Sequence, residues 1–232
     1  MTYYKLLNSD GTPSNGGSGV SYYLPDGDKP GKWMPKIEDI ALCSRGYHVV
    51  DFEHLLDWRG MLLCEAEIRG DNIRDNSKIV AQQIRLLHVV QTWNEKNLRL
   101  FAADCAEHVL PIFEKKYPKD NRPRLAIQAA RAFAEGKISA NAMLEARSAA
   151  YAAYAVADAV ADAAAYAAAY AAYAYAAYAA YAVADAAAYA AYAVADAAAY
   201  AAAAYAAAAD AAAARQKERQ WQVLKLKESL GI

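Results

Sequence analysis

The sequence predicts an α+β chain: a small N-terminal mixed sheet domain over residues 1–90, then an Ala-rich all-α bundle with very long or hairpin-folded helices over 91–232. Three observations carry this. Short apolar runs separated by Gly, Pro, Asn and Asp clusters fill the first part, as strands and turns do. Apolar residues recur at helical spacing from Trp93 onward. Ala149 to Ala214 is almost nothing but Ala interrupted by Tyr and Asp, and no Gly or Pro occurs between Gly136 and Gly231, so the best helix former meets no breaker.

Taken in order, Tyr3–Leu7 reads as a strand, followed by a Gly/Ser/Asn loop through Gly19. Val20–Leu24 is a second strand, and Pro25–Pro35 a loop anchored by Trp33 and Met34. Ile40–Cys43 and Tyr47–Val50 flank Ser44-Arg45-Gly46 as strands about a tight turn. Phe52–Trp58 is a short helix with Asp51 as its cap. Met61–Ile68 and Lys78–Val90 are strands separated by a polar turn over Gly70–Ser77.

Thr92 and Glu95 form a T-x-x-E capping box that opens the next helix. Trp93, Leu100, Phe101, Cys105, His108, Ile112 and Phe113 give it one heavy face, with Pro111 expected to bend it. Pro118–Pro123 is a linker, Pro123 sits at the start of a helix over Arg124–Glu135, Gly136 ends it, and Ser139 caps the long alanine-rich tract. Trp221, Leu224 and Leu226 or Leu230 offer an apolar edge for docking on the Trp93 helix.

The alanine tract is a repeat, because YAVADAAAYAA occurs at 181–191 and again at 192–202. Eleven residues in three turns is about 3.67 per turn, close enough to a straight helix for a stripe to drift slowly. Tyr178, Tyr181, Asp185, Tyr189, Tyr192, Asp196 and Tyr200 share one band, with Val183 and Val194 roughly opposite. An upstream stripe through Tyr151, Tyr154, Asp158, Asp162, Tyr166, Tyr170 and Tyr173 is offset by about a third of a turn. One helix from Ser139 to Glu228 would approach 130 Å, at about 1.5 Å per residue, with little around it to bury its rings, which favours a folded bundle. A Tyr stripe at this spacing more often serves internal packing than binding; the other reading is partner recognition or self-association through rigid contact area.

Formal net charge is −1, so no basic field argues for nucleic acid. Asp158, Asp162, Asp185, Asp196 and Asp210 precede Arg215, Lys217, Arg219, Lys225 and Lys227, an order that suits a helix dipole. Recurring Asp and phenol groups make membrane insertion of the alanine tract costly, and mean hydropathy is −0.07. With no secretory pattern at MTYYKLL and three cysteines that cannot form a closed disulfide set, a cytoplasmic location is expected.

No G-x-x-x-x-G-K-[ST], G-x-S-x-G or H-E-x-x-H is present, so nucleotide, acyl-transfer and zinc-protease chemistry have no motif, and no cofactor is expected; an enzyme is not expected either, with catalysis by His48 in residues 1–90 the remaining alternative. Gly16-Gly17-Ser18-Gly19 has no Lys in phosphate-loop register and reads as a flexible loop. Cys43 and His48 could furnish two metal ligands with Cys64 as a third, against a bland reading as a buried thiol beside a hydrogen-bonded imidazole. Asp104, Glu107 and His108 share a helix segment, suited to metal binding or acid/base work, or to salt bridges. Arg122 and Arg124 beside Pro123 suit a phosphate or acidic partner at a helix N-terminus, or surface ion pairs.

The stretch from Thr92 to Glu145, with F-A-A-D-C-A-E at 101–107 and P-x-D-x-R-P-R at 118–124, followed by the alanine tract and ERQWQ at 218–222, resembles the immunity proteins of bacterial polymorphic toxin systems. GKWM at 31–34 and CSRGYHV at 43–49 resemble an uncharacterised domain of phage and bacterial proteins. The first resemblance implies an all-α region that binds a protein, a toxin or host defence factor, and supplies no catalytic residue. Self-association through Ala/Val faces, giving a homo-oligomeric structural protein, is the alternative from composition alone.

Overall fold

The computed structural model describes residues 2–17, 19–154 and 211–232. The band from Tyr178 to Tyr200, the exact repeat and the choice between one helix and several lie outside the described residues. The chain divides into two units, Met1–Trp93 and Asn94–Ile232.

The first unit is built on a hairpin, β3 (Leu62–Arg74) and β4 (Ile79–Val89), flanked by β1 (Tyr3–Leu7) on β3 and β2 (Tyr47–Val49) on β4. Every pairing is antiparallel, so the expected mixed sheet is corrected: each outer strand runs against the hairpin strand beside it. Tyr4 and Val50 exchange both backbone hydrogen bonds, at 2.9 and 3.0 Å, which joins the two outer strands and draws the sheet round on itself.

The hairpin turn is Asp75–Lys78 rather than Gly70–Ser77. Asp75 Oδ1 accepts from the backbone N–H of Ser77 at 2.8 Å and of Lys78 at 2.9 Å, the side-chain turn that Asp makes readily. Gly70, read as turn, instead sits at φ +83° where β3 carries an extra residue between Arg69 and Asn72. Gln82 Oε1 reaches across to the Asp71 N–H at 3.0 Å, so the bulge is held by a side chain.

Val20–Leu24 and Ile40–Cys43 are not strands. Tyr22 is drawn under the sheet, its N–H on Gly11 O at 3.0 Å, and Ala41 and Arg45 close a tight loop with Cys43 at φ +61°. The N–H groups of Gly31, Met34 and Ile37 bond to Leu86, Ile84 and Gln82 carbonyls, which covers β4 beyond the short β2. Phe52–Asp57 is a 3₁₀ helix. Asp51 precedes it but makes no side-chain cap, because its carboxylate bonds Arg74 at 2.5 Å. One apolar cluster gathers Leu7, Tyr22, Met34, Tyr47, Val49, Cys64, Ala66, Ile79, Ile84 and Leu86.

Trp93 belongs to this unit and not to the adjoining helix, since its indole N–H bonds Gly60 O at 3.1 Å. That helix begins two residues beyond the expected box. Asn94 caps it by accepting from Asn97 N–H at 3.0 Å, and Asn serves at that position as well as Ser or Thr.

The second unit has α1 (Glu95–Lys116), α2 (Arg122–Ala134), α3 (Ala140–Tyr154) and α4 (Ala211–Leu230) among the described residues. Pro111 is accommodated within α1, and Pro123 lies in the first turn of α2, where a missing N–H costs nothing. Gly136, at φ +71°, ends α2 with Gly136 N–H on Phe133 O and Lys137 N–H on Ala132 O, the paired bonds of a Schellman stop. Ser139 Oγ then accepts from Ala142 N–H at 3.3 Å and starts α3.

α1 is the hub, packing on α2 and on α4, while α2 packs on α3. Leu98, Phe101, Cys105, Val109, Leu110 and Phe113 are buried along it. Leu226 and Leu230 of α4 are buried as well, whereas Leu224 is 67% exposed and is no part of that docking edge.

Candidate functional site

The helical unit carries a continuous polar seam across three helices. Arg131 of α2 places Nη1 2.6 Å from Asp104 and Nη2 2.5 Å from Glu107, both on α1. Lys225 of α4 reaches Asp104 from the other side at 3.4 Å and Glu228 at 3.1 Å. One turn on, His108 Nδ1 lies 2.8 Å from Glu218 Oε2, while its ring stacks on Trp221 with centroids 3.8 Å apart and planes 6° from parallel. Gln222, fully buried, donates to the other Glu218 oxygen at 2.9 Å.

The F-A-A-D-C-A-E and W-Q stretches are therefore packed on one another. Their polar letters are the seam and their apolar letters the core. Asp104 and Glu107 hold Arg131, and His108 holds Glu218, so each is engaged in joining helices. Burial opposes the Arg131 charge, but the hydrogen bonds and charges of Asp104 and Glu107 outweigh it and raise its pKa.

Arg122 and Arg124 stand at the exposed start of α2, each with its fork on a carboxylate. Arg122 makes a bidentate pair with Asp120 at 2.8 and 2.5 Å, and that hydrogen bonding holds the Asp120 carboxyl below its ordinary range. Arg124 grips Glu114 at 2.6 and 2.7 Å. Leu125 beside it is 49% exposed.

In the sheet unit, His48 Nε2 accepts from the Cys43 backbone N–H at 3.0 Å, which occupies the lone pair a metal would need. Burial lowers the His48 pKa, and Lys5 and Lys78 lower it further. Cys64 lies in the buried cluster, where desolvation pushes its thiol up to about 12. Among the described residues no group of three His, Cys, Asp or Glu side chains is placed to share an ion. Nearby a cavity of about 680 Å³ opens, lined by Lys5, Tyr22, Cys43, His48, Trp58 and Lys78 among others. Its Lys5 escaped the sequence reading. The available signal was a cation at the centre of Tyr3–Leu7, on the same strand face as buried Leu7.

The sequence matches the family described as Imm-5 like putative immunity protein over residues 88–229, more than half of the chain. The protein belongs to this family. The match takes in α1 through most of α4 and leaves residues 1–87, with GKWM and CSRGYHV, outside it. No curated protein and no solved structure matches the chain. Among the described residues no helix is long and apolar enough to cross a membrane.

Proposed function

We propose that the helical unit is the binding half of a toxin–immunity pair, which occupies a cognate toxin domain and blocks it without chemistry of its own. The observation that carries this reading is the family match, spanning the α1–α2–α4 seam as one unit. The seam supports it: Asp104, Glu107, His108, Arg131, Glu218 and Lys225 are committed to cross-helix pairs, which makes a stiff scaffold and leaves the outer faces for recognition. Rigid faces lose little entropy on binding.

The proposed contact points are the Tyr178, Tyr181, Asp185, Tyr189, Tyr192, Asp196 and Tyr200 band, whose phenol rings supply contact area, and Arg122 and Arg124 with exposed Leu125 at the head of α2. A phage-encoded counter-defence role is the same physical act on a different partner. The test is size-exclusion chromatography of the full chain with a candidate toxin domain from an adjacent gene. A stoichiometric complex is expected, weakened by Tyr189→Ala/Tyr192→Ala at unchanged helix content. Separate elution of the two proteins at micromolar concentration contradicts the proposal.

A further inference from the structure

The cavity of the sheet unit carries a charge pattern that packing does not require. It is walled by β1 and β2 at the seam where Tyr4 and Val50 pair, by the glycine loop at Gly16 and Gly17, and by Val20, Tyr22 and Ile37. Among the described residues three cations, Lys5, Arg45 and Lys78, line it, and no Asp or Glu does. Lys78 has its carboxylate outside the wall, Asp75 at 3.1 Å, and Arg45 faces Asp39 at 3.7 Å on the exposed side.

Lys5 has none. Its ammonium donates to His48 O at 2.8 Å and stands 5.0 Å from the centre of the Tyr22 ring. An ammonium carries three donors, and a carbonyl with one ring face leaves most of its charge uncompensated. Trp58, which lines the same cavity, keeps its indole N–H buried with no hydrogen-bond partner among the described residues. A half-buried cation without a carboxylate is costly unless a partner or a ligand completes it.

We propose that this cavity binds a small organic carboxylate, its anionic head on Lys5 and its apolar body against Val20, Tyr22 and Ile37. The volume lies in the range of small-ligand pockets, about 300–1,000 Å³, and the wall has their mix of apolar surface with a few convergent polar groups. His48 cannot supply the counter-charge, since its ring nitrogen is taken by the Cys43 N–H. The site is independent of the helical unit, so toxin binding and carboxylate binding stand or fall separately.

Binding is coupled to protons. Burial lowers the Lys5 pKa to about 8, so the empty site loses its charge in mildly alkaline solution. The groups around it do not change charge there: His48 is shifted down, Lys78 up, Tyr4, Tyr22 and Tyr47 up, Cys64 opposite Lys5 in register up to about 12, and Asp75 down. Because Cys43 faces Lys78, the experiment is run in a Cys43→Ala background.

The experiment is calorimetric titration of the full chain with 3-phenylpropionate, with 3-phenylpropanol as its uncharged counterpart and inorganic phosphate as a second anion. The acid is expected to bind at least about tenfold more tightly than the alcohol, the size of a hydrogen bond to a charged group. Its affinity should fall as pH rises through the Lys5 pKa near 8, and be lost in Lys5→Met. Equal binding of acid and alcohol, or phosphate matching the acid, overturns the proposal. So does a flat profile from about pH 7 to 9 in the Cys43→Ala chain, a reading that stands even if Lys5→Met does not fold.

Discussion

Lys5 in the sheet unit and Arg131 in the helical unit are both cations held within their unit's packing, yet their surroundings differ. Arg131 spans two α1 carboxylates at 2.6 and 2.5 Å, and its pKa rises despite burial. Lys5 meets a carbonyl and a ring, and its pKa falls to about 8. A charge whose counter-charge comes from a neighbouring element fastens that element in place. One whose surroundings withhold the counter-charge is poised for a ligand. The proposed recognition role of the helical unit and the proposed ligand site of the sheet unit rest on this difference.

The contrast rests first on the apolar base of the helical unit. Phe101 is fully buried on α1, so Phe101→Ala should destabilise that unit by about 3–5 kcal/mol, read from hydrogen exchange of α1 amides, and leave β3 and β4 amides as they were. A loss below about 1 kcal/mol would displace α1 from its place as hub. Asp104→Ala, which strips both Arg131 and Lys225 of a partner, should cost about 1–3 kcal/mol in chemical denaturation. Glu107, about half exposed, holds only the other Arg131 nitrogen, and Glu107→Ala should cost under about 1 kcal/mol. Equal losses for the two would contradict the view that the seam's strength lies in its shared carboxylate.

The sheet unit relies on backbone devices instead. Gly70→Ala forces a side chain onto φ +83°, with the new Cβ driven against Gln82 Oε1, and should cost about 1–2 kcal/mol in thermal unfolding. No change would mean that the bulge can shift. A pH dependence of definite sign is also expected. Lys5 has a folded pKa of about 8, below its ordinary value, so the unfolded chain binds more protons between the two. Stability of the sheet unit should therefore rise with pH above about 8 and level off near the ordinary lysine value, relative to Lys5→Met. A fall over that range contradicts the burial of the amine.

Much of the fold was legible where local chemistry decides it. Pro123, Gly136 and Ser139 mark helix ends because cap and stop geometries need those residue types. Legibility failed where a distant partner decided. Asp51 looks like a cap until Arg74 takes its carboxylate, and Trp93 fits the helical face until Gly60 offers a carbonyl. Gly70 reads as a turn in one strand alone, and only the register with Gln82 makes it a bulge. The site followed the same rule. Asp104, Glu107 and His108 were visible as a cluster, but their partners Arg131 and Glu218 are 24 or more residues away in sequence. Lys5 became notable only once the carboxylates around it could be counted.

The measurement that tests the proposed immunity role most directly is growth of cells making a toxin domain, if one is encoded next to this chain, with and without the chain. Restored growth is predicted, kept in Lys5→Met and reduced in Tyr189→Ala/Tyr192→Ala. Cells that die equally in all cases, with the chain folded and abundant, would contradict the proposed immunity role of the helical unit.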